Sequence, residues 1–485
     1  MINFSIRELL DSLDGIIKNK SELINYDLDY EQLITEISCD SRKIIPNSIF
    51  MAIIGEFHDG HDFLQQVWDA KASVAIVTKI NSNISLPQIL VTNTKQALGL
   101  ITNYLAKKWQ KPRIAVTGSA GKTTTKFILN AVLQTNGQVL CAESSFNNDI
   151  GVPLTLFNAV DEQWAGIFEF GTNHPGEIEY LANLLDYDVA ILTNISVAHI
   201  GNFASVDAIA EEKSTIFKGL KSNGTAIIWH ESVYYDFLVN KIKAINASNT
   251  NSNKNIKILT FGFDKQADVY ADNIEILAHT TKFILNYREQ TIDITLPLLG
   301  KHQILNALAA SAAALQLDIE LPNIQDSLTK VKPVTKRMQP VKINENITVI
   351  DDSYNANPAS VAASLDFLAS LPGHKIFVLG DLGELGDLAQ LEHEKIGKLA
   401  KKLNIDKLLA FGNFSKYTLQ AFNNSYNQFA DKQDLSNTLL EYITDYKHHN
   451  LPCTILIKGS NFMKMWEVTE YLKNKLTYSL KVEDN

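Results

Sequence analysis

Cysteine is scarce. Cys39, Cys141 and Cys453 are the only three in 485 residues, and no two stand in a CxxC or CxxxC pair. That excludes a disulfide framework and a zinc ribbon, and it predicts three lone core thiols in a reducing compartment. A basic excess is also missing: 44 Lys and Arg stand against 54 Asp and Glu, a formal net charge of -10. A nucleic-acid binder would carry the opposite balance, so none is expected as a partner. No uncharged apolar run reaches the ~18 residues that a membrane span needs. The segment MINFSIRELLDSLDG puts Arg7 and Asp11 where a signal peptide would need an apolar core. A cytoplasmic protein is expected.

What the chain does have is apolar content, 45% of its residues with 20% charged. That is enough for several cores at about 150 residues per domain. The polar, turn-rich stretch INSNISLPQ (80–88) predicts a first boundary, and a second falls near residue 330, before KPVTKR. The divisions are therefore 1–90, 91–330 and 331–485. Between residues 113 and 229, apolar strands alternate with helical segments: RIAVTG (113–118), WAGIFEFG (164–171), DVAILTNI (188–195) and GTAIIW (224–229). Such near-continuous runs suit a parallel sheet covered on both faces. The pattern returns in ITVIDDS, HKIFVLGD, DKLLAFG and PCTILIKGS, so the fold class is α/β with a third α/β unit at the C-terminal end. The Ala-rich segment 300–317 reads as a helix, and the Asn/Ser-rich stretch 243–255 as an exposed loop.

The most specific local signal is Thr117-Gly118-Ser119-Ala120-Gly121-Lys122-Thr123-Thr124. It follows a strand and opens a helix. Glycines let successive N–H groups turn toward phosphate oxygens, and the helix start adds positive potential. Lys122 can reach the β- and γ-phosphates, and Thr123 can offer a hydroxyl to Mg2+. Val116 stands where the eight-residue form has its first glycine, so this is the shorter GxxGKT loop. A phosphate loop fixes a nucleotide but not a reaction.

Two further residues suggest metal chemistry. Glu169 ends the strand in GIFEFGTNHPGEI, and His199 follows the strand in ILTNISVAHIG. Both would sit at strand carboxyl ends, the edge that faces the ligand crevice in an open α/β sheet. Taken alone, each reads more simply as a solvated side chain. Lys213, in DAIAEEKSTIFKG, reads alone as a surface lysine.

Together these motifs resemble the ATP-dependent Mur ligases of peptidoglycan synthesis, over nearly the whole chain and in that family's order. CDSRKIIPNSIFMAIIGEFHDGHDF resembles the block of the UDP-sugar-binding domain, and TGSAGKTTTK the ligase phosphate loop. SSFNNDIGVPLTL, FEFGTNHPGEI, LTNISVAHIGNF, GKHQILNALAA, TKRM, DDSYNANPAS, VLGDLGELG and LIKGS follow. The chain departs at three places. Gln303 stands for the family's first asparagine in GxHNxxN, Lys336 for the glycine before the arginine, and Asn461 for the arginine of KGSR.

The resemblance implies three domains: a UDP-substrate domain, a central ATPase domain with a parallel sheet, and a Rossmann-like C-terminal domain that closes on the nucleotide. DDSYNANP favours the family member that adds D-alanyl-D-alanine to UDP-N-acetylmuramoyl-tripeptide through an acyl phosphate, as a monomer. It implies that Gly118, Ser119, Ala120, Gly121, Lys122, Thr123 and Thr124 hold ATP, with Asn306 at adenine, Arg337 near the phosphates and Asp352 near the ribose. Thr123, Glu169, His199 and an N-carboxylated Lys213 would hold two Mg2+ ions. Ser41, Arg42, Gly55, His61, Asn147 and Asn148 would meet the UDP-substrate. The rivals are a sibling ligase with another amino acid, a folylpolyglutamate synthase-like enzyme, and a regulatory protein using ATP as a switch. The folate-type enzyme usually carries its phosphate loop near the start of the chain, whereas here 121 residues precede Lys122.

Overall fold

Apolar strands with no polar alternation need cover on both faces, and this chain supplies it with helices between the strands. The computed structural model describes residues 2–19, 28–198, 200–248, 254–277, 280–423 and 427–483. Three sheets follow one another along the chain.

The first sheet is all parallel, in the order β1 (Ile37–Ser38), β2 (Ile49–Met51), β3 (Val74–Val77), β4 (Gln88–Leu90). The second has β5 (Arg113–Thr117), β6 (Val139–Cys141), β7 (Ala165–Glu169), β8 (Tyr187–Leu192) and β9 (Leu220–Trp229). It continues with β10 (Lys257–Gly262), β11 (Val269–Ile276), β12 (Thr281–Tyr287) and β13 (Gln290–Leu296). Its order is β13-β12-β11-β10-β9-β8-β5-β7-β6. The chain leaves β5 for the edge strand β6, returns through β7, and crosses to β8 on the other side. The carboxyl end of β5 is therefore a topological switch point, where α/β sheets open a ligand crevice. β11, β12 and β13 pair antiparallel, an addition that the apolar pattern did not reveal.

The third sheet holds β14 (Gln339–Lys342), β15 (Ile347–Asp352), β16 (His374–Gly380), β17 (Lys407–Phe411), β18 (Gln428–Phe429) and β19 (Cys453–Lys458). Its order is β14-β15-β19-β16-β17-β18, parallel except at β14. Register sets Asp352 beside Lys458 at the carboxyl ends of β15 and β19.

Every apolar segment read as a strand from Arg113 onward contains one. The Ala-rich segment forms the helix Lys301–Leu315, buried along most of its length against the helix Lys122–Leu133. Small side chains allow that close approach. Two readings need correction. Residues 243–248 belong to the helix Tyr235–Ser248 rather than to a loop, and 249–253 lie outside the described residues. Of the three thiols only Cys453 is buried; Cys39 and Cys141 are half-buried. No described helix is long and apolar enough to cross a membrane.

The third sheet's loops touch the second unit at the phosphate loop and in the segment after β8. Asn357 Nδ2 donates to Ser119 O at 3.1 Å, and Gly201 N donates to Glu384 O at 2.9 Å.

Candidate active site

The phosphate loop spans the gap between β5, ending at Thr117, and the helix starting at Lys122. Two of its glycines are sterically required. At Gly118 (φ 150°) a Cβ would lie 1.9 Å from Thr193 Oγ1, and at Gly121 (φ 81°) 2.3 Å from Asn306 Oδ1. Gly121 caps the helix without a side-chain acceptor, which leaves first-turn N–H groups available to an anion. The β8 side fixes the loop. Asn194 Oδ1 accepts from Ala120 N at 2.9 Å, Asn194 O accepts from Ser119 N at 3.0 Å, and Thr193 Oγ1 donates to Ala120 O at 2.6 Å. Lys122 folds back to donate to Gly118 O at 2.7 Å. Desolvation lowers the pKa of its ammonium; Glu169 opposes the shift and Arg337 adds to it.

Glu169, on the neighbouring β7, is 3% exposed. The solvated carboxylate that it suggests when read alone is therefore not what the fold provides. Its Oε1 accepts from Thr123 Oγ1 at 3.1 Å and from Asn147 Nδ2 at 3.0 Å. Its Oε2 is buried without a hydrogen-bond partner, 3.5 Å from Lys126 Nζ. An orphaned carboxylate oxygen beside a threonine hydroxyl and an amide is a hard-oxygen set of the kind Mg2+ takes. Lys126 escaped the sequence reading. Its signal was the i+4 spacing from Lys122, which sets both lysines on one helix face. His199 lies outside the described residues. Among the described residues no three His, Cys, Asp or Glu side chains gather as a metal cluster.

Lys213 corrects its stand-alone reading as a surface lysine. It sits in the helix Val206–Ser214 and is 1% exposed. Burial holds its ammonium well below the ordinary range, and the charge of Lys122 pushes the same way. The preceding Glu212 accepts from Gly176 N at 2.6 Å and Ile178 N at 2.7 Å, tying this helix to the loop after β7.

On the nucleotide side, Asn306 Oδ1 accepts from Thr125 Oγ1 at 3.3 Å and its Nδ2 donates to Gln303 Oε1 at 3.0 Å. The Gln303 departure thus supplies Asn306 with a partner. His302 lines the same cleft, with its pKa lowered to about 4 by desolvation, so its imidazole is neutral. Asp352 Oδ1 accepts from Met338 N at 3.1 Å; its Oδ2 accepts from Ser364 Oγ at 2.8 Å and Lys458 Nζ at 2.5 Å. Arg337 donates from Nη2 to Thr123 Oγ1 at 3.0 Å, and its guanidinium lies 4.1 Å from the Tyr354 ring centroid. Neither His302, Lys458 nor Tyr354 was singled out in the sequence: Lys458 gains its role when β15 and β19 pair, and His302 and Tyr354 gain theirs when the second and third sheets meet.

One cleft of about 710 Å³ is lined by the loop from Ser119 to Thr124 and by Asn147, Asn148, Glu169, Asn306, Arg337 and Asp352; Lys126 and Lys213 do not line it. Asn148 also accepts from Gly151 N at 2.8 Å, starting the helix Gly151–Phe157. Ser41, Arg42, Gly55 and His61 do not line the cleft; they lie in the loops of the first sheet. Arg42 pairs with Asp40 at 2.8 Å, and Ser41 Oγ donates to Gln66 at 3.1 Å. His61 Nε2 accepts from Thr78 N at 2.9 Å, so its protonated Nδ1 faces Asp59 at 2.6 Å. Both ring nitrogens are therefore engaged in holding the loop.

Comparison with known proteins gives this geometry a lineage. The Mur ligase middle domain matches residues 116–314, and the Mur ligase, glutamate ligase domain matches 336–461. A UDP-N-acetylmuramoyl-tripeptide–D-alanyl-D-alanine ligase of Buchnera aphidicola is 35% identical, covering 97% of this chain and 98% of its own. The enzyme of that name from Escherichia coli is 33% identical, covering 98% and 100%. A crystal structure of MurF from Acinetobacter baumannii superposes with a TM-score of 0.87 at 30% identity, over 97% of this chain and 98% of that one. The chain belongs to the Mur ligase family.

Proposed function

We propose that this protein is an ATP-dependent ligase that joins D-alanyl-D-alanine to UDP-N-acetylmuramoyl-tripeptide, giving the pentapeptide, ADP and phosphate in peptidoglycan precursor synthesis. The observation that carries this reading is the meeting, in one cleft, of a phosphate loop, an orphaned Glu169 oxygen and Arg337 from the third unit. The relatives at 33% and 35% identity bear that activity in their names. Residues 1–90 are proposed to hold the UDP moiety, 91–330 ATP, and 331–485 the incoming dipeptide.

Amide formation from a free carboxylate is uphill in water, so the acid must first be activated. The peptide carboxylate attacks the γ-phosphate of ATP, giving an acyl phosphate and ADP. The dipeptide amine then attacks the acyl carbon, and the tetrahedral intermediate collapses to the amide and phosphate. Lys122 and Arg337 stabilise the negative charge that redistributes among the phosphates. Asn306 would position adenine and Asp352 the ribose. The acyl phosphate would hydrolyse in open water, so the third unit must lie over the cleft, a reading that the contacts of Asn357 and Arg337 support. Mg2+, when bound, neutralises phosphate charge as a Lewis acid. Glu169 and Thr123 would hold it, with His199 and Lys213 as further ligands. Lys213 would serve as its carbamate: a neutral buried amine adds to carbon dioxide, releases one proton and becomes an anionic oxygen ligand, whereas an ammonium would be repelled.

Phosphate release with Mg-ATP and UDP-N-acetylmuramoyl-tripeptide tests the proposal. Release that rises on adding D-alanyl-D-alanine supports it. Release unaffected by the dipeptide but stimulated by another amino acid would move the assignment to a sibling ligase. ATP binding with no release would leave a nucleotide switch.

A further inference from the structure

The cleft has a neighbour. A second cavity of about 600 Å³ lies under the segment 330–337, against the helix Lys122–Leu133. Thr123, Ser145, Arg337 and Tyr354 line both cavities, so these four side chains form the wall between them. Arg337 therefore faces open space on two sides. Its Nε is buried without a hydrogen-bond partner. What holds the guanidinium is the Tyr354 ring on one face and the Thr123 hydroxyl at one end. Tyr354 is itself anchored across the junction, with its hydroxyl 2.9 Å from Ser145 Oγ. Its backbone is held too: Tyr354 N donates to Lys336 O at 3.0 Å, and Tyr354 O accepts from Asn461 Nδ2 at 2.9 Å.

We propose that Tyr354 is a positioning residue for the ligase reaction: its ring aims Arg337 at the phosphate site, and its bond to Ser145 makes that aim conditional on the third unit being seated. Arg337 and Tyr354 come from the third unit, Thr123 and Ser145 from the second, so the assembly exists only when the two are together. The Asn461 departure fits this arrangement, because its amide braces the Tyr354 carbonyl. The inference rests on the ligase reading above.

The test is a double-mutant cycle on the full-length enzyme. Tyr354→Phe keeps the ring and loses the bond; Ser145→Ala loses the same bond from the other side, together with the 3.5 Å contact of its hydroxyl with Thr123 Oγ1. Each should lower kcat about tenfold or more with KM for the UDP-substrate unchanged, and the double variant should be no slower than Ser145→Ala alone. Tyr354→Leu, which removes the platform under Arg337, should fall about a hundredfold in kcat. Fluorescence energy transfer between labels on the second and third units should show ATP-driven approach weakened in Tyr354→Phe. Thermal melting checks that each variant folds. Additive losses in the double variant, or full activity in Tyr354→Leu, would overturn the inference. A wild-type enzyme without dipeptide-dependent phosphate release would instead overturn the ligase reading on which it rests.

Discussion

Arg337 donates a hydrogen bond to the Thr123 hydroxyl, 214 residues away in sequence, at 3.0 Å. The same hydroxyl donates to Glu169. One threonine thus joins a cation brought by the third unit to the carboxylate at the end of β7.

Removing that cation should cost rate more than affinity. Arg337→Ala should lower kcat by about 10²–10³, the usual loss for one preorganised donor to developing charge. Arg337→Lys should recover only part, because a point charge cannot both stack on Tyr354 and donate to Thr123. Steady-state phosphate release, with KM for the UDP-substrate measured alongside, checks this. A change in that KM alone, with kcat preserved, would place Arg337 in binding rather than in chemistry.

Gly118→Ala should abolish nucleotide binding. A methyl there meets Thr193 Oγ1 at 1.9 Å, and the φ of 150° is unfavourable to any side chain. Gly121→Ala should do the same by displacing Asn306. Equilibrium titration with a fluorescent ATP analogue reads both, and wild-type affinity in either would contradict the steric argument.

Lys336 occupies φ 62°, and Met338 on the other side of Arg337 has φ 47°. The family's glycine at the first position would relieve strain there, of roughly 1 kcal/mol. Lys336 offsets it with an ammonium 3.9 Å from the Trp466 ring centroid. Lys336→Gly should therefore melt close to wild type. Lys336→Ala keeps the strained backbone but puts no cation over the indole, so it should melt lower. Differential scanning calorimetry on the pair decides it.

His302 should make stability depend on pH. Its folded pKa, about 4, is below the ordinary 6.5. The unfolded chain therefore binds more protons between those values. The contribution is fully present above 6.5 and is lost as pH falls through that window. Between pH 7 and pH 5 the loss should be on the order of 1 kcal/mol, discounted for the ring's partial exposure. His302→Gln should show a shallower fall in denaturant midpoint over that range; an identical fall would refute the assignment.

Lys213→Ala should be inactive under all conditions if the buried amine carries a carbamate. Wild-type enzyme depleted of carbon dioxide should lose activity and regain it with bicarbonate. A carbamate carbon signal after labelling with ¹³C-bicarbonate, absent in Lys213→Ala, gives a readout apart from turnover.

The sequence made the strands and the phosphate loop legible because both are local. The apolar run of β5 and the glycines at 118 and 121 carry their reason within a few residues. Long-range roles were not legible by the same route. Lys213 in its helix looks like any surface lysine until the fold buries it, and Lys126 looks like a helix-former until Glu169 arrives beside it. The antiparallel strands β11–β13 alternate exposed and buried positions, which a search for continuous apolar runs passes over. Tyr354 and Ser145 gain their relation only through the seating of the third unit. The strand-end position pointed to Glu169, family resemblance supplied Asn306, Arg337 and Asp352, and the structure places all four around one cleft.

The most direct measurement of the central claim is the mass of the product formed from UDP-N-acetylmuramoyl-tripeptide, Mg-ATP and D-alanyl-D-alanine. The account predicts the UDP-linked pentapeptide, formed in equal amount with phosphate and absent when the dipeptide is withheld. Phosphate released with the tripeptide nucleotide left unchanged would contradict it.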